Sequence, residues 1–358
     1  MIQHRSFILS ITFTTQILLL SSADVWSQEK SADKTADAVK APAYPRTNLA
    51  PWYDVDPSWP QKPESCEWGA VPGLAVDQKD QIWVFTRAKP PIQVYRPDGT
   101  LVKTWGDQTI ETAHHLKIDD AGNVWVSDIG LHIIRKFSPD GQVLMTIGTP
   151  GVPGCDETHL NKPTDMVVAD NGHVFVSDGY GNNRVVHFDE RGQFVAEWGQ
   201  LGTGPNDLSL PHAIDMDSAG RVYVADRNNV RVQIYSQTGE LVDSWNNVIV
   251  PWGFWVKRAT GERQQDEIWV CGSSPMPWLE HPDYPGAPLS CPPRDQMVMK
   301  FAPSGRLLQL WTIPKGQDGH EQPGDVNWLH CLARDSKGNL YLGDIIGRRA
   351  QKFVLQRR

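Results

Sequence analysis

Between residues 71 and 356, apolar and polar positions alternate in short runs separated by Asp-Gly, Ala-Gly, Asn-Gly and Ser-Gly pairs. A period of two broken by turn dipeptides predicts antiparallel hairpins and not helices. The runs themselves repeat. "VPGLAVDQKDQIWVFTRAKPPIQVYRPDGTLVKTWG" (71–106) matches "AHHLKIDDAGNVWVSDIGLHIIRKFSPDGQVLMTIG" (113–148), and the unit recurs at 163–199 and 211–245. A longer copy runs from Pro251 to Trp311, and a sixth, "LHCLARDSKGNLYLGDIIGRRAQKFVLQ", ends at the C-terminus. Four strands per copy predict an all-β fold, a six-bladed β-propeller in which radial closure protects the strand edges. The sixth copy stops after its third strand, so "PWYDVDPSWP", just before the first copy, is expected to supply the strand that closes the ring.

The Asp that ends each second strand (Asp128, Asp178, Asp226, Asp344) serves as a register mark. These Asp residues, and Arg184, Arg231 and Arg348 in the turns that follow, read as turn-supporting groups. Fourteen positions before three of the marks stand His114, His212 and His330; the corresponding positions in the other copies are Pro72, Thr164 and Trp252. Alternate blades therefore carry a histidine at one slot of the innermost strand. Radial repetition places such side chains about 120° apart around the central channel. Three imidazoles converging on an axis with a fourth position open are the ligand set of catalytic zinc. His115 is expected to face the other way, into blade packing, since successive strand side chains alternate. His132, His159, His173 and His187 share no column.

Composition changes this picture in two ways. A net charge of -8 in 358 residues argues against a nucleic-acid-binding surface and against an anionic-membrane surface. The N-terminus has His4 and Arg5, a largely apolar stretch from Phe7 to Leu20, and then Ser21, Ser22 and Ala23, which reads as a signal peptide over 1–27 and predicts a secreted or periplasmic protein. Residues 28–50 read as a polar linker, leaving 51–358 as the propeller, without membrane insertion and as a monomer. An oxidising compartment permits disulfides, and a Cys271–Cys291 bridge would close the proline-rich insert of the fifth copy. Cys66, Cys155 and Cys331 cannot all pair among themselves.

The loops after the second strands surround the same end of the channel as the histidine slot. Arg87 follows "WVFT", Tyr180 follows "VSDG" and Arg227 follows "VAD". Two guanidiniums and a phenol beside a metal would clamp a small-molecule or peptide substrate by its terminal carboxylate.

"HLNKPTDMVVADNGHVFVSDGYGNNRVVHF" and "PHAIDMDSAGRVYVADRNNVRVQIY" resemble the peptidyl-α-hydroxyglycine α-amidating lyases, six-bladed propellers of NHL-type repeats. The resemblance spans about residues 68–355. It implies zinc on His114, His212 and His330, a catalytic tyrosine at Tyr180 and active-site arginines at Arg87 and Arg227. The activity it implies is cleavage of a peptidyl-α-hydroxyglycine to a peptide amide and glyoxylate, with Tyr180 in general-base chemistry. The chain departs from the family at four places. Asn161 and Gly181 stand where the family has a disulfide, and Cys331 stands where an acidic residue binds the family's structural calcium, so that calcium lacks its ligand here. A thiol at 331 would also sit beside a metal ligand. Trp252 and Trp328 would narrow the channel mouth, and the insert would cover it further. A zinc enzyme acting on a different hydroxy acid, and a non-catalytic propeller that binds peptide, glycan or protein, are the competing readings.

Overall fold

The computed structural model describes residues 52–259, 264–274, 280–281, 284–288 and 295–356. The expected signal peptide and linker lie outside the described residues, as does Cys291.

Six four-stranded antiparallel sheets follow one another along the chain. Blade 1 is Gly73–Val76, Ile82–Phe85, Ile92–Tyr95 and Leu101–Trp105; blade 2 is Ala113–Ile118, Val124–Asp128, Ile133–Phe137 and Val143–Ile147. Blade 3 is Asp165–Val168, Val174–Asp178, Arg184–Phe188 and Phe194–Trp198; blade 4 is Pro211–Met216, Val222–Asp226, Arg231–Tyr235 and Leu241–Asn246. Blade 5 is Val250–Lys257, Glu267–Ser273, Gln296–Phe301 and Leu307–Ile313, with the small hairpin Glu280–His281 and Tyr284–Pro288 inserted after its second strand. Blade 6 takes Leu329–Arg334, Leu340–Asp344 and Arg349–Gln356 from the C-terminus, and its outer strand is the N-terminal Trp52–Asp56, paired antiparallel with Arg349–Gln356. The ring is thus closed by one strand from the far end of the described chain, which leaves no pair of blades free to separate.

The inner three strands of most blades are buried along nearly their whole length, whereas the outer strands alternate half-buried and exposed positions. Apolar side chains of adjacent blades meet in six separate clusters, such as Trp125, Ile134, Leu160, Met166, Val176 and Val186 between blades 2 and 3. The turn between the first two strands recurs with the same chemistry. Asp119 accepts the Trp125 indole N–H, Asp77 that of Trp83, and Asp217 and Asp335 the Tyr223 and Tyr341 hydroxyls. The register-marking Asp residues are turn acceptors: Asp128 accepts from the backbone of Glu111, Thr112, Gly130 and Leu131, and Asp344 from Asn327, Trp328 and Gly347. Arg184 and Arg231 pair with Asp178 and Asp226 and donate to carbonyls of the loops that enter their blades. In blade 6 that role falls to Arg349, which donates to the carbonyls of Gln322 and Asp325. Arg348, expected to play it, instead holds the turn with φ +50°.

Below the histidine level the channel is plugged by charge. The Lys117 ammonium lies 3.3 Å from Asp165 and 3.5 Å from Asp215 and donates to the Ile214 carbonyl. Asp165 is itself fully buried and accepts from the backbone of Ile214 and Met166.

Candidate metal centre

The innermost strands of blades 2, 4, 5 and 6 break register at the histidine slot, between Ala113 and Leu116, Pro211 and Ile214, Pro251 and Gly253, and Leu329 and Cys331. A bulge leaves residues out of the ladder and turns their side chains. Here it turns them toward the axis. The rings of His114, His212 and His330 are buried, with centroids 4.7–4.9 Å apart, and one nitrogen of each lies within 4.8 Å of the others.

The three intervening blades orient these rings. His114 Nδ1 is 2.6 Å from the Thr164 carbonyl, His212 Nδ1 is 2.6 Å from that of Trp252, and His330 Nδ1 is 2.8 Å from that of Pro72. Those carbonyls belong to the slot residues that are not histidine. A carbonyl only accepts, so each Nδ1 carries the hydrogen and each Nε2 presents a lone pair. Neutral imidazoles held by a carbonyl on the far nitrogen are what a three-histidine zinc site needs.

Tyr180 completes the ring from blade 3, its hydroxyl 3.0 Å from His114 Nε2 and 3.1 Å from His212 Nε2. One phenolic hydrogen serves two acceptors, so the hydroxyl donates to one imidazole at a time. Gly179 makes this placement possible. A Cβ there would lie 1.9 Å from the Pro211 carbonyl oxygen, so only glycine lets the turn approach the neighbouring blade closely enough. Asn161 packs directly on Gly181, where a Cβ would lie 2.1 Å from the Asn161 side chain. Arg227 is buried on the 3₁₀ turn Arg227–Asn229, and Arg87 is exposed with Nε 3.0 Å from the Ala113 carbonyl, one residue before His114. All six sequence-identified residues are thereby brought to one end of the channel.

Burial holds all three histidines well below the usual imidazole pKa, and the neighbouring histidines, Arg87 and Arg227 push in the same direction. The native state of the metal-free protein therefore binds fewer protons than the unfolded chain once the pH drops below about 6.5. Stability from these groups is complete above that pH and is lost below it, at roughly 1.4 kcal/mol per pH unit for each histidine until it protonates in the fold. Urea midpoints of metal-free protein should fall steadily from pH 7 to pH 5; a flat midpoint would contradict the burial.

Three expectations from the sequence are corrected here. His115 does not point into blade packing: the bulge breaks strand alternation, and its ring lies in the channel, 4.8 Å from that of His114 and 5.1 Å from that of His330. Cys331 does not approach the metal position. It is a buried thiol against Gly343 and the Val71 carbonyl, and burial pushes its pKa well up, so it is a neutral packing group. Cys271 is likewise a free, fully buried thiol packed with Trp269, Val298 and Leu342, and not half of a bridge. Sequence reasoning also missed Lys117, Asp165 and Asp215. Their signal was present: Lys117 and Asp215 each stand three positions past a histidine slot, in a strand that should face the axis.

Among known proteins, the family model for the NHL repeat matches residues 160–188 and 208–235. Human NHL repeat-containing protein 3 is 34% identical over 212 residues, covering 54% of this chain and 60% of its own length. Its mouse counterpart is 31% identical over 328 residues, covering 85% of this chain and 84% of its own length. The chain belongs to the NHL-repeat propeller family. A Drosophila melanogaster relative, peptidyl-alpha-hydroxyglycine alpha-amidating lyase 2, is 33% identical over 204 residues, covering 49% of each chain. Among solved structures, a streptogramin B lyase superposes with TM-score 0.53 at 14% identity, over 82% of this chain and 95% of its own. A gluconolactonase from Xanthomonas campestris does so with TM-score 0.54 at 16% identity, over 81% and 88%. These two likenesses are of fold. Within this NHL-repeat propeller the matched segments contain Tyr180, His212 and Arg227.

Proposed function

We propose that this NHL-repeat propeller is a secreted or periplasmic zinc lyase that cleaves peptidyl-α-hydroxyglycine-type substrates into an amide and glyoxylate. One observation carries the reading: three buried histidines bring ligand nitrogens within 4.8 Å of one another, with a tyrosine hydroxyl within 3.1 Å of two of them. The relatives named as amidating lyases supply the reaction class. His114, His212 and His330 would hold zinc, which when bound supplies Lewis acidity toward a substrate oxygen.

The chain's own groups do the rest. Arg227, buried beside His212, and Arg87, across the mouth, receive the substrate carboxylate and hold the α-carbon toward Tyr180. Tyr180, acting as the phenolate, takes the proton of the α-hydroxyl and returns it to the departing nitrogen. The oxygen's electron pair becomes the aldehyde C=O of glyoxylate as the C–N bond breaks. That bond's pair goes to nitrogen, which gains a proton and leaves as the primary amide. Carbon oxidation states do not change, so no oxidant is required. The buried imidazoles stay neutral and available as ligands through the working pH range.

Tyr180→Phe is the direct test, with glyoxylate release from α-hydroxyhippurate and zinc content measured on the same sample. A fall of about 10²–10⁴-fold with zinc retained is expected for loss of a proton-transfer group. Full activity in the variant would remove Tyr180 from the mechanism. The NHL repeat-containing protein 3 relatives bear a name that states no reaction, which favours a second reading, a binding propeller. It takes precedence if the wild-type zinc protein releases no glyoxylate.

A further inference from the structure

The groups around the histidine centre are divided between two sides. Arg87, Tyr180 and Arg227 come from blades 1, 3 and 4, whereas blades 5 and 6 present indoles. Trp252 is fully buried and Trp328 half-buried, with ring centroids 5.6 Å apart and planes at 45°. With Val230 and Val250 they make a small apolar cluster separate from the six interblade cores. Both are tied to the metal ligands. The Trp252 carbonyl accepts from His212 Nδ1, and Trp328 stands two residues before His330 with its backbone clamped by Asp344 and Ile345. The cluster therefore cannot move far from the reacting centre.

Its polar atoms are unmatched. Among the described residues, neither indole N–H has a hydrogen-bond partner, and neither has the Asn228 side-chain carbonyl, on the turn that joins Arg227 to Val230 and packs on the inner strand of blade 5. Buried indoles ordinarily find acceptors. Trp105 and Trp198 also lack one, but those rings lie on the outer-strand turns at Gly141 and Gly239. Beside the histidines, two free donors and one free acceptor are the complement of a peptide unit, whose carbonyl accepts and whose N–H donates. The indole faces are the complement of a planar apolar group.

We propose that Trp252, Trp328 and Asn228 form the subsite for the acyl group preceding the cleaved glycine, and that Trp328 selects aromatic acyl groups there. This rests on the lyase reading for the direction in which the substrate lies, with its carboxylate on Arg227 and Arg87 and its acyl end on blades 5 and 6. Trp328, the more exposed ring, swings aside to admit the group, which then stacks on the indoles and takes up their N–H donors.

The test uses the zinc-loaded full chain, with wild type compared with Trp328→Ala and Trp328→Phe. Calorimetric binding of hippurate and of N-acetylglycine, which lack the hydroxyl and do not react, is measured beside KM and kcat for α-hydroxyhippurate and N-acetyl-α-hydroxyglycine. Wild type should bind hippurate about tenfold more tightly than N-acetylglycine. Trp328→Ala should erase that preference while raising KM and not lowering kcat, and Trp328→Phe should keep most of it. Retained preference in a folded, zinc-containing Trp328→Ala protein, or no hippurate preference in wild type, overturns the subsite. If Trp328→Ala does not fold, Trp328→Leu takes its place under the same criteria. Absence of glyoxylate from either substrate with the binding preference intact overturns the lyase reading alone.

Discussion

Replacing His212 with alanine should abolish stoichiometric zinc and lower glyoxylate release by more than about 10²-fold, the upper end of what loss of a mere outer-shell partner costs. The size follows from geometry. His212 reaches every part of the site: its Nδ1 donates to the Trp252 carbonyl, its Nε2 lies 3.1 Å from Tyr180, and its ring contacts both other ligands. Two nitrogens alone leave a site two ligands short of tetrahedral and open to water. The fold should survive, because the slot is lined by His115 and His330 and not by an interblade core. Zinc by plasma emission, circular dichroism and glyoxylate release on one preparation check all three statements. A variant that still holds one zinc per chain would show that the metal sits elsewhere.

The histidine column could be read from the sequence because a propeller maps linear repeats onto rotation. Once Asp128, Asp226 and Asp344 fixed the register, equal offsets meant equal height and radius, and His114, His212 and His330 had to meet. The closing strand was legible for a related reason: a sixth repeat lacking its outer strand leaves one edge, and Trp52–Asp56 was the available segment. His115 was misjudged because alternation assumes an unbroken ladder, and the Ala113–Leu116 bulge breaks it. Whether a strand bulges depends on what its neighbours demand, here a carbonyl from Thr164 that the sequence of blade 2 does not contain. Arg349 displaced Arg348 for a similar reason, a one-residue offset in a turn whose register is set by pairing with Asp344. Cys271 drew a pairing expectation from its spacing to Cys291, but its position in the second strand of blade 5 faces the blade 6 core.

Replacing Lys117 with methionine should destabilise the protein by about 3 kcal/mol, at the lower end of the cost of removing one partner from a buried ion pair. The charge arithmetic is local. Asp165 is 1% exposed, Asp215 14% and Lys117 21%, so the ammonium is the cation that both carboxylates share on the axis. Asp165 keeps the backbone N–H groups of Ile214 and Met166, which offsets part of its desolvation but none of its repulsion with Asp215. The expected loss therefore lies near the bottom of the range. Methionine matches the aliphatic stem of lysine, so the loss isolates charge from packing. The double variant Lys117→Met, Asp165→Asn should recover part of the stability, because it removes the more buried of the two orphaned charges and its repulsion with Asp215 while leaving an amide that still accepts from Ile214. Urea unfolding of the four proteins in the cycle measures the coupling. If the single and double variants unfold at the same midpoint, the axial cluster is solvated and not a buried plug. If coupling is found but zinc content in Lys117→Met is unchanged, the plug supports the ring of blades independently of the metal centre above it, as its position three residues beyond the histidine slot implies.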